Sequence, residues 1–347
     1  MWHIGVLHMI MGIILIIWRI PMFLKSSNRL ILTITAFLTV VSLALTGCSD
    51  DNSSESSSSE ERPVIVVTTN ILGDVVANVV GDNFDVEVIM PSGADPHDFQ
   101  ASAKQVAKIM SADLLVVNGA NFEEGMADVI EAAESDGVMI LETISFVTQL
   151  DGDHEGDDDH DDHEGHDHGG IDPHFFTDPS RMAQVVEGLS KFLVANFPEI
   201  GEDSLESTAN SYKKQLENLD AEVERTLFAI PPDSRVLVTN HAVFEYFAER
   251  YEFKVIGSII PATSTLSSAS AQQIASLADA IRSNQVTAIF ADASSSDSLA
   301  KALAGEVDGV KIVSLFTESL GSTNSSGPTY IDMVRSNSEA IASALLG

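Results

Sequence analysis

The chain is poor in cysteine, in cations and in local metal-binding signatures, and each shortage excludes something. Of its 347 residues one, Cys48, is a cysteine, so no internal disulfide can form and the fold rests on packing. Only 18 Lys and Arg stand against 52 Asp and Glu, a formal net charge of -34. Nucleic acid and anionic membrane surfaces are drawn by basic patches, so neither is an expected partner, whereas a cation is. No HExxH or CxxC occurs, so a metal site has to be assembled by the fold from distant residues. A chain of this length holds two ordinary domains and buries a sizeable core.

Residues 22–48 read MFLKSSNRLILTITAFLTVVSLALTGC: Lys25 and Arg29, an apolar run from Leu30 to Leu45, then Leu45-Thr46-Gly47-Cys48. This pattern predicts a signal peptide over 1–47 that ends in a lipobox, with Cys48 as the lipidated residue. The alternative is a transmembrane helix followed by a free thiol. The apolar stretch 1–21 precedes a signal that is already complete, so Met22 is the expected start and 1–21 an extension of the gene model; a genuine extra apolar span is the alternative. Residues 48–61 comprise the lipidated Cys and a Ser/acidic tether with too little apolar area to order itself. The folded part is therefore expected to be exported and lipid-anchored at the outer face of the cytoplasmic membrane. Without 1–47 the chain keeps 15 cations against 52 acids, so the acidity belongs to the exported part.

The ten histidines divide unevenly. His3 and His8 fall in the leader. Five more, His154, His160, His163, His166 and His168, lie in DGDHEGDDDHDDHEGHDH (151–168) among ten acids and no apolar residue, which predicts a solvated loop, 151–170 with its closing glycines. Imidazole and carboxylate at irregular short spacing suit loose, auxiliary collection of a divalent ion such as zinc; a solubilising acidic loop is the alternative. His97, His174 and His241 remain for the folded body, each near a strand end or a Pro turn, where binding sites are commonly built.

From residue 62 onward β-rich runs alternate with helical ones. Strands are predicted at 64–69, 86–90, 114–118 and 138–142, with helices between them, and a second set at 235–239, 254–260, 288–292 and 311–315. A helical stretch over 202–228 separates the sets. The fold class predicted is α/β: two similar lobes with mainly parallel sheets, residues 62–200 and 231–347, joined by one long helix in 201–230, with a metal site in the interlobe cleft. A helix from His241 to Arg250 is part of this expectation. Glu318, just past the last strand, adds a carboxylate to the three imidazoles. Such a set suits tetrahedral zinc, although each histidine taken alone is more readily read as structural. Asp95 and Asp172 each stand two residues before a candidate ligand across a Pro, placed to accept from its imidazole N–H; a rigid Asp-Pro turn with only a structural role is the alternative.

These residues resemble the metal-binding solute-binding lipoproteins of ABC importers, the cluster A-I or TroA-like family. The resemblance rests on the lipobox, Gly93-x-Asp-Pro-His97, Asp172-Pro173-His174-x-x-x-Asp178-Pro179, Asn240-His241-x-x-Phe244-x-Tyr246-Phe247, the Ile289-Phe290 strand and Tyr330-x-x-Met333-x-x-x-Asn337. It covers about 62–347. It implies a monomeric binding protein that is not an enzyme and delivers metal to ABC permease membrane subunits, with His97, His174, His241 and Glu318 as ligands. The fourth ligand in the family is usually Asp, and water is the alternative to Glu318. Asp292 ends the Ile-Phe strand where the family commonly has Glu, and is read as supporting or structural. Three imidazoles and an acidic His-rich insertion favour Zn2+, with Mn2+ or iron as the alternative. Readings from other classes are a surface adhesin and a zinc hydrolase with Glu318 as base.

Overall fold

The computed structural model describes residues 62–152 and 170–347; Cys48, the tether and the five loop histidines from His154 to His168 lie outside the described residues. The first sheet is built from β1 (Val64–Val67), β2 (Asp85–Val88), β3 (Leu114–Val117) and β4 (Ile140–Glu142). The order is β2-β1-β3-β4 with every pair parallel. Strand β3 reads LLVV and is buried throughout, as a parallel strand covered on both faces should be, whereas the edge strand β2 reads DVEV and stays partly exposed. Between the strands run α1 (Asn70–Val80), α2 (Ala103–Met110) and α3 (Ala127–Ser135).

Two helices follow, α4 (Pro179–Asn196) and α5 (Glu202–Leu227). Pro179 opens α4, and Asp178 caps it by accepting the Ser180 N–H at 2.7 Å, so Asp-Pro here is a helix start written in sequence. At 1.5 Å per residue α5 is about 39 Å long. Its buried positions are Leu205, Ala209, Tyr212, Leu216, Leu219, Val223 and Leu227, spaced by three and four, which keeps one apolar stripe turned inward.

The second sheet is formed by β5 (Val236–His241), β6 (Lys254–Ile260), β7 (Ala288–Asp292) and β8 (Lys311–Leu315), with α6 (Glu245–Tyr251), α7 (Ala271–Ser283) and α8 (Ser298–Glu306) between them and α9 (Tyr330–Leu346) closing the chain. Its order, β6-β5-β7-β8, repeats that of the first, again all parallel. The helix expected from His241 begins only at Glu245. His241 is the last residue of β5, paired with Ile260, and the Ala242 N–H goes on to Ala262 C=O; the ladder keeps 241 in the strand, this bond ties 242, and the helix is postponed.

One hydrophobic cluster includes Ile65 of β1, Leu189 of α4, Leu216 of α5, Leu237 of β5 and Tyr330 of α9. Smaller clusters hold Ile109 of α2 with Ala133 of α3, and Ile281 of α7 with Leu303 of α8. The two sheets thus share one apolar interior, and Glu61–Gly347 packs as a single compact unit. In each sheet the strand order reverses beside its first strand, which leaves a crevice at the carboxyl ends where ligands of open α/β sheets bind. Among the described residues no helix is long and apolar enough to cross a membrane.

Candidate metal centre

His97 lies in the connection after β2, His174 in the connection between β4 and α4, His241 at the end of β5, and Glu318 in the connection after β8. All four therefore stand at carboxyl ends of strands, two from each sheet. The fold brings them together: one ligand atom from each lies within 4.8 Å of all the others, and none of the four residues is more than 1% exposed. Glu318 Oε1 is 3.0 Å from His97 Nε2, 3.4 Å from His174 Nε2 and 3.0 Å from His241 Nε2. For ligands at ~2.0–2.1 Å from zinc, tetrahedral geometry puts neighbouring donor atoms ~3.3–3.4 Å apart. The carboxylate-to-imidazole edges come close to that, so the pocket has the size for one small cation. Glu318 Oε2 is buried without a partner, an acceptor that a bound cation would satisfy.

Each side chain is held from behind by its own local structure. His174 Nδ1 lies 2.7 Å from Asp172 Oδ1, which also accepts the His174 backbone N–H at 2.9 Å. The carboxylate thereby fixes the ring and turns Nε2 toward the centre. The turn is anchored in its own right, because Tyr246 Oη donates to Asp172 C=O at 2.9 Å and accepts the Leu150 N–H at 3.0 Å. The corresponding expectation for Asp95 is corrected. Its Oδ1 accepts the His97 backbone N–H and its Oδ2 the Thr265 hydroxyl at 2.7 Å, while the His97 ring turns its Nδ1 to Glu124 Oε1 at 3.1 Å. Asp95 is spent on the turn and on a bond across to the second lobe. Asp292 is spent likewise: it accepts the Ser294 N–H and hydroxyl and so closes the turn after β7.

Glu124 carries no sequence signal toward His97, since only the fold sets it 27 residues away in chain against that ring. Phe122, equally without a signal, stands edge-on to His97 and His174, with ring centres 5.2 and 5.6 Å away. Gly119 leads into it at φ +88°, where a Cβ would come within 2.8 Å of Ile144. On the other side Asn337 of α9 brackets Phe316, accepting its N–H at 3.0 Å and donating to its C=O at 2.7 Å. The strand exit two residues before Glu318 is thus pinned to the closing helix.

Electrostatics follow from the crowding. Burial alone would push Glu318 up, but the charge of His241 and hydrogen bonds from His174, His241 and His97 hold it well below the usual carboxylate range. Burial alone would pull His174 down; the Asp172 charge and hydrogen bond, joined by Glu318, outweigh it and raise the imidazole to about 9. Three ring nitrogens converge on one carboxylate oxygen, an arrangement that a cation accepting their lone pairs would relieve.

The fold and this cluster define a two-lobed α/β protein with a buried group of three imidazoles and one carboxylate, able to hold a metal ion, at the crevice between parallel sheets. The chain belongs to the ZnuA family, described as the zinc-uptake complex component A, periplasmic, which matches residues 65–344. It is 30% identical over 265 residues to the zinc-binding lipoprotein AdcA of Streptococcus pneumoniae, which covers 76% of this chain and 52% of AdcA; the chain spans about half the length of that relative. It is 28% identical over 276 residues to the iron-binding protein YfeA of Yersinia pestis, covering 79% of this chain and 84% of YfeA. Among solved structures, the periplasmic zinc-binding protein TroA from Treponema pallidum superposes with a TM-score of 0.72 at 28% identity, over 82% of this chain and 99% of TroA.

Proposed function

We propose that the protein is the solute-binding component of an ABC-type metal importer, that its cargo is Zn2+, and that it hands this ion to the permease membrane subunits. The observation that carries the reading is the cluster of His97, His174, His241 and Glu318, four buried donors drawn from both sheets. Three imidazoles and a single carboxylate are a borderline donor set suited to zinc, whereas manganese is better served by more oxygen. The AdcA likeness supports the same choice. The manganese lipoprotein PsaA of Streptococcus anginosus, 26% identical over 286 residues, keeps Mn2+ as the second reading.

In this role the residues bind and do no chemistry. Asp172 orients His174 and Glu124 orients His97, so both rings offer Nε2 to the ion. Glu318 is used as the fourth donor, which leaves no base beside an open coordination position of the kind a zinc hydrolase needs. Lipid attachment through Cys48 on the outer face of the membrane is supported by the lipobox and by the lipoprotein names of the relatives. The loop histidines from His154 to His168 would collect zinc loosely and leave tight binding to the cleft.

Zinc titration of His241→Ala tests the reading. Affinity is expected to fall by about 100-fold or more, beyond the effect of removing a mere supporting residue; unchanged affinity and stoichiometry would sink it. Deleting 153–168 is expected to remove weaker sites and keep one tight one, and competition between zinc and manganese in the same titration decides the cargo.

A further inference from the structure

We propose that Asn70 is a positioning residue for the metal centre, holding the loop that carries His97 and the loop that carries Glu318 in one register across the cleft. The proposal rests on the zinc-binding reading of that site. Asn70 is the first residue of α1, far from any candidate ligand in sequence. Its Nδ2 donates to Pro91 C=O at 3.0 Å and to Ser319 Oγ at 2.8 Å, and its Oδ1 accepts the Leu320 N–H at 2.7 Å. Both amide hydrogens and the carbonyl oxygen are thus used. Pro91 begins the turn that leads to His97, while Ser319 and Leu320 directly follow Glu318.

The Ser319 hydroxyl completes the arrangement. It is 3% exposed, accepts from Asn70 and from the Gly93 N–H at 2.7 Å, and donates to Leu320 C=O at 3.3 Å. Gly93 sits at φ +79°, the left-handed region that suits glycine, and this aims its N–H across the cleft. Two loops from opposite sheets therefore meet on one carboxamide and one hydroxyl, next to Glu318 in one loop and in the turn that leads to His97 in the other. A side chain that fixes ligand-bearing loops acts on metal affinity as outer-shell partners do. Glu318 lies in a connection of the second lobe, yet its place is referenced to the first.

The test uses the full-length protein carrying Asn70→Ala, Ser319→Ala or both. Asn70→Ala is expected to raise the zinc Kd about tenfold, to speed zinc release to a chelator, and to change the visible spectrum of the Co2+-loaded protein, a readout that a purely structural role would leave alone. The pair is expected to be non-additive, because the two side chains share one set of bonds. Asn70→Asp, which keeps the acceptor for Leu320 and loses the donor to Ser319, gives an intermediate Kd and a second variant should Asn70→Ala fail to fold. Wild-type Kd and cobalt spectrum in folded Asn70→Ala and Asn70→Asp overturn the positioning role and leave the zinc reading standing. Absence of tight zinc binding in the unsubstituted protein overturns the zinc reading and the positioning role with it.

Discussion

The two lobes contribute equally to the metal-ligand cluster but support their contributions differently. On the first lobe's side both imidazoles have a carboxylate behind them, Glu124 at 3.1 Å from His97 Nδ1 and Asp172 at 2.7 Å from His174 Nδ1. On the second lobe's side no carboxylate stands behind the His241 ring, whose Nδ1 is buried with no protein partner, as are Glu318 Oε2 and, on the first lobe's side, Asp172 Oδ2. The first lobe's two rings are therefore oriented by carboxylates, whereas the His241 ring has no such group behind it.

The comparison is tested hardest by removing the supports in turn. Asp172→Ala is expected to lower zinc affinity by about 10–100-fold, because Asp172 is fully buried and sets both the ring and the turn of His174. Glu124→Ala should cost about tenfold, the lower end of that range, since its side chain is 23% exposed and water can replace it. Isothermal titration of both variants ranks them; a larger loss at Glu124 would break the picture of a buried, tightly oriented His174.

Proton linkage gives the next largest effect. His174 is raised from 6.5 to about 9 in the fold, so its contribution to the stability of the metal-free protein is whole below about pH 6.5 and is lost as pH climbs toward 9. Glu318 is lowered well below 4.5, so its contribution is present above that value and is lost as pH falls through its folded pKa. Melting temperature of the metal-free protein should thus decline between pH 6.5 and 9, an effect on the order of 2–3 kcal/mol. The added stabilisation by zinc should grow over the same window, because the ion needs the imidazole lone pair that the proton occupies. A flat profile in metal-free protein would mean that the Asp172–His174–Glu318 contacts carry no net charge interaction.

The smallest effect expected is at Tyr246, which ties α6 of the second lobe to the His174 turn. Tyr246→Phe strands the Leu150 N–H and the Asp172 C=O, and should cost about 1–3 kcal/mol in denaturant unfolding with a smaller loss of zinc affinity than Asp172→Ala. Equal losses of affinity would place the orientation of His174 in the turn and not in the carboxylate.

Much of this arrangement is legible in the sequence because it is local. Alternating β and helical runs announce parallel sheets, Asp178-Pro179 announces the start of α4, and the three-four spacing from Leu205 to Leu227 announces the spine helix. The candidate ligands are legible because few histidines remain once the leader and the acidic stretch are set aside. The start of α6 is misread because residue 241 is held in the ladder to β6 and the 242 N–H is bonded to Ala262, partners that local propensity does not contain. Asp95 is misread for a related reason: its nearness to His97 in sequence fixes a backbone bond, while the ring is free to turn to Glu124 from a separate loop.

By itself the sequence determined the α/β class, the repeated strand-helix order, the strong acidity and the short set of residues able to hold a metal, since these follow from composition, periodicity and residue chemistry. Only the tertiary structure decided that His97, His174, His241 and Glu318 converge within one ion's reach, that Glu124 and Asp172 stand behind two of them, and that Asn70 joins the loops on either side. Those contacts span up to 250 residues of chain, and the packing of two sheets against a shared interior is what closes that distance.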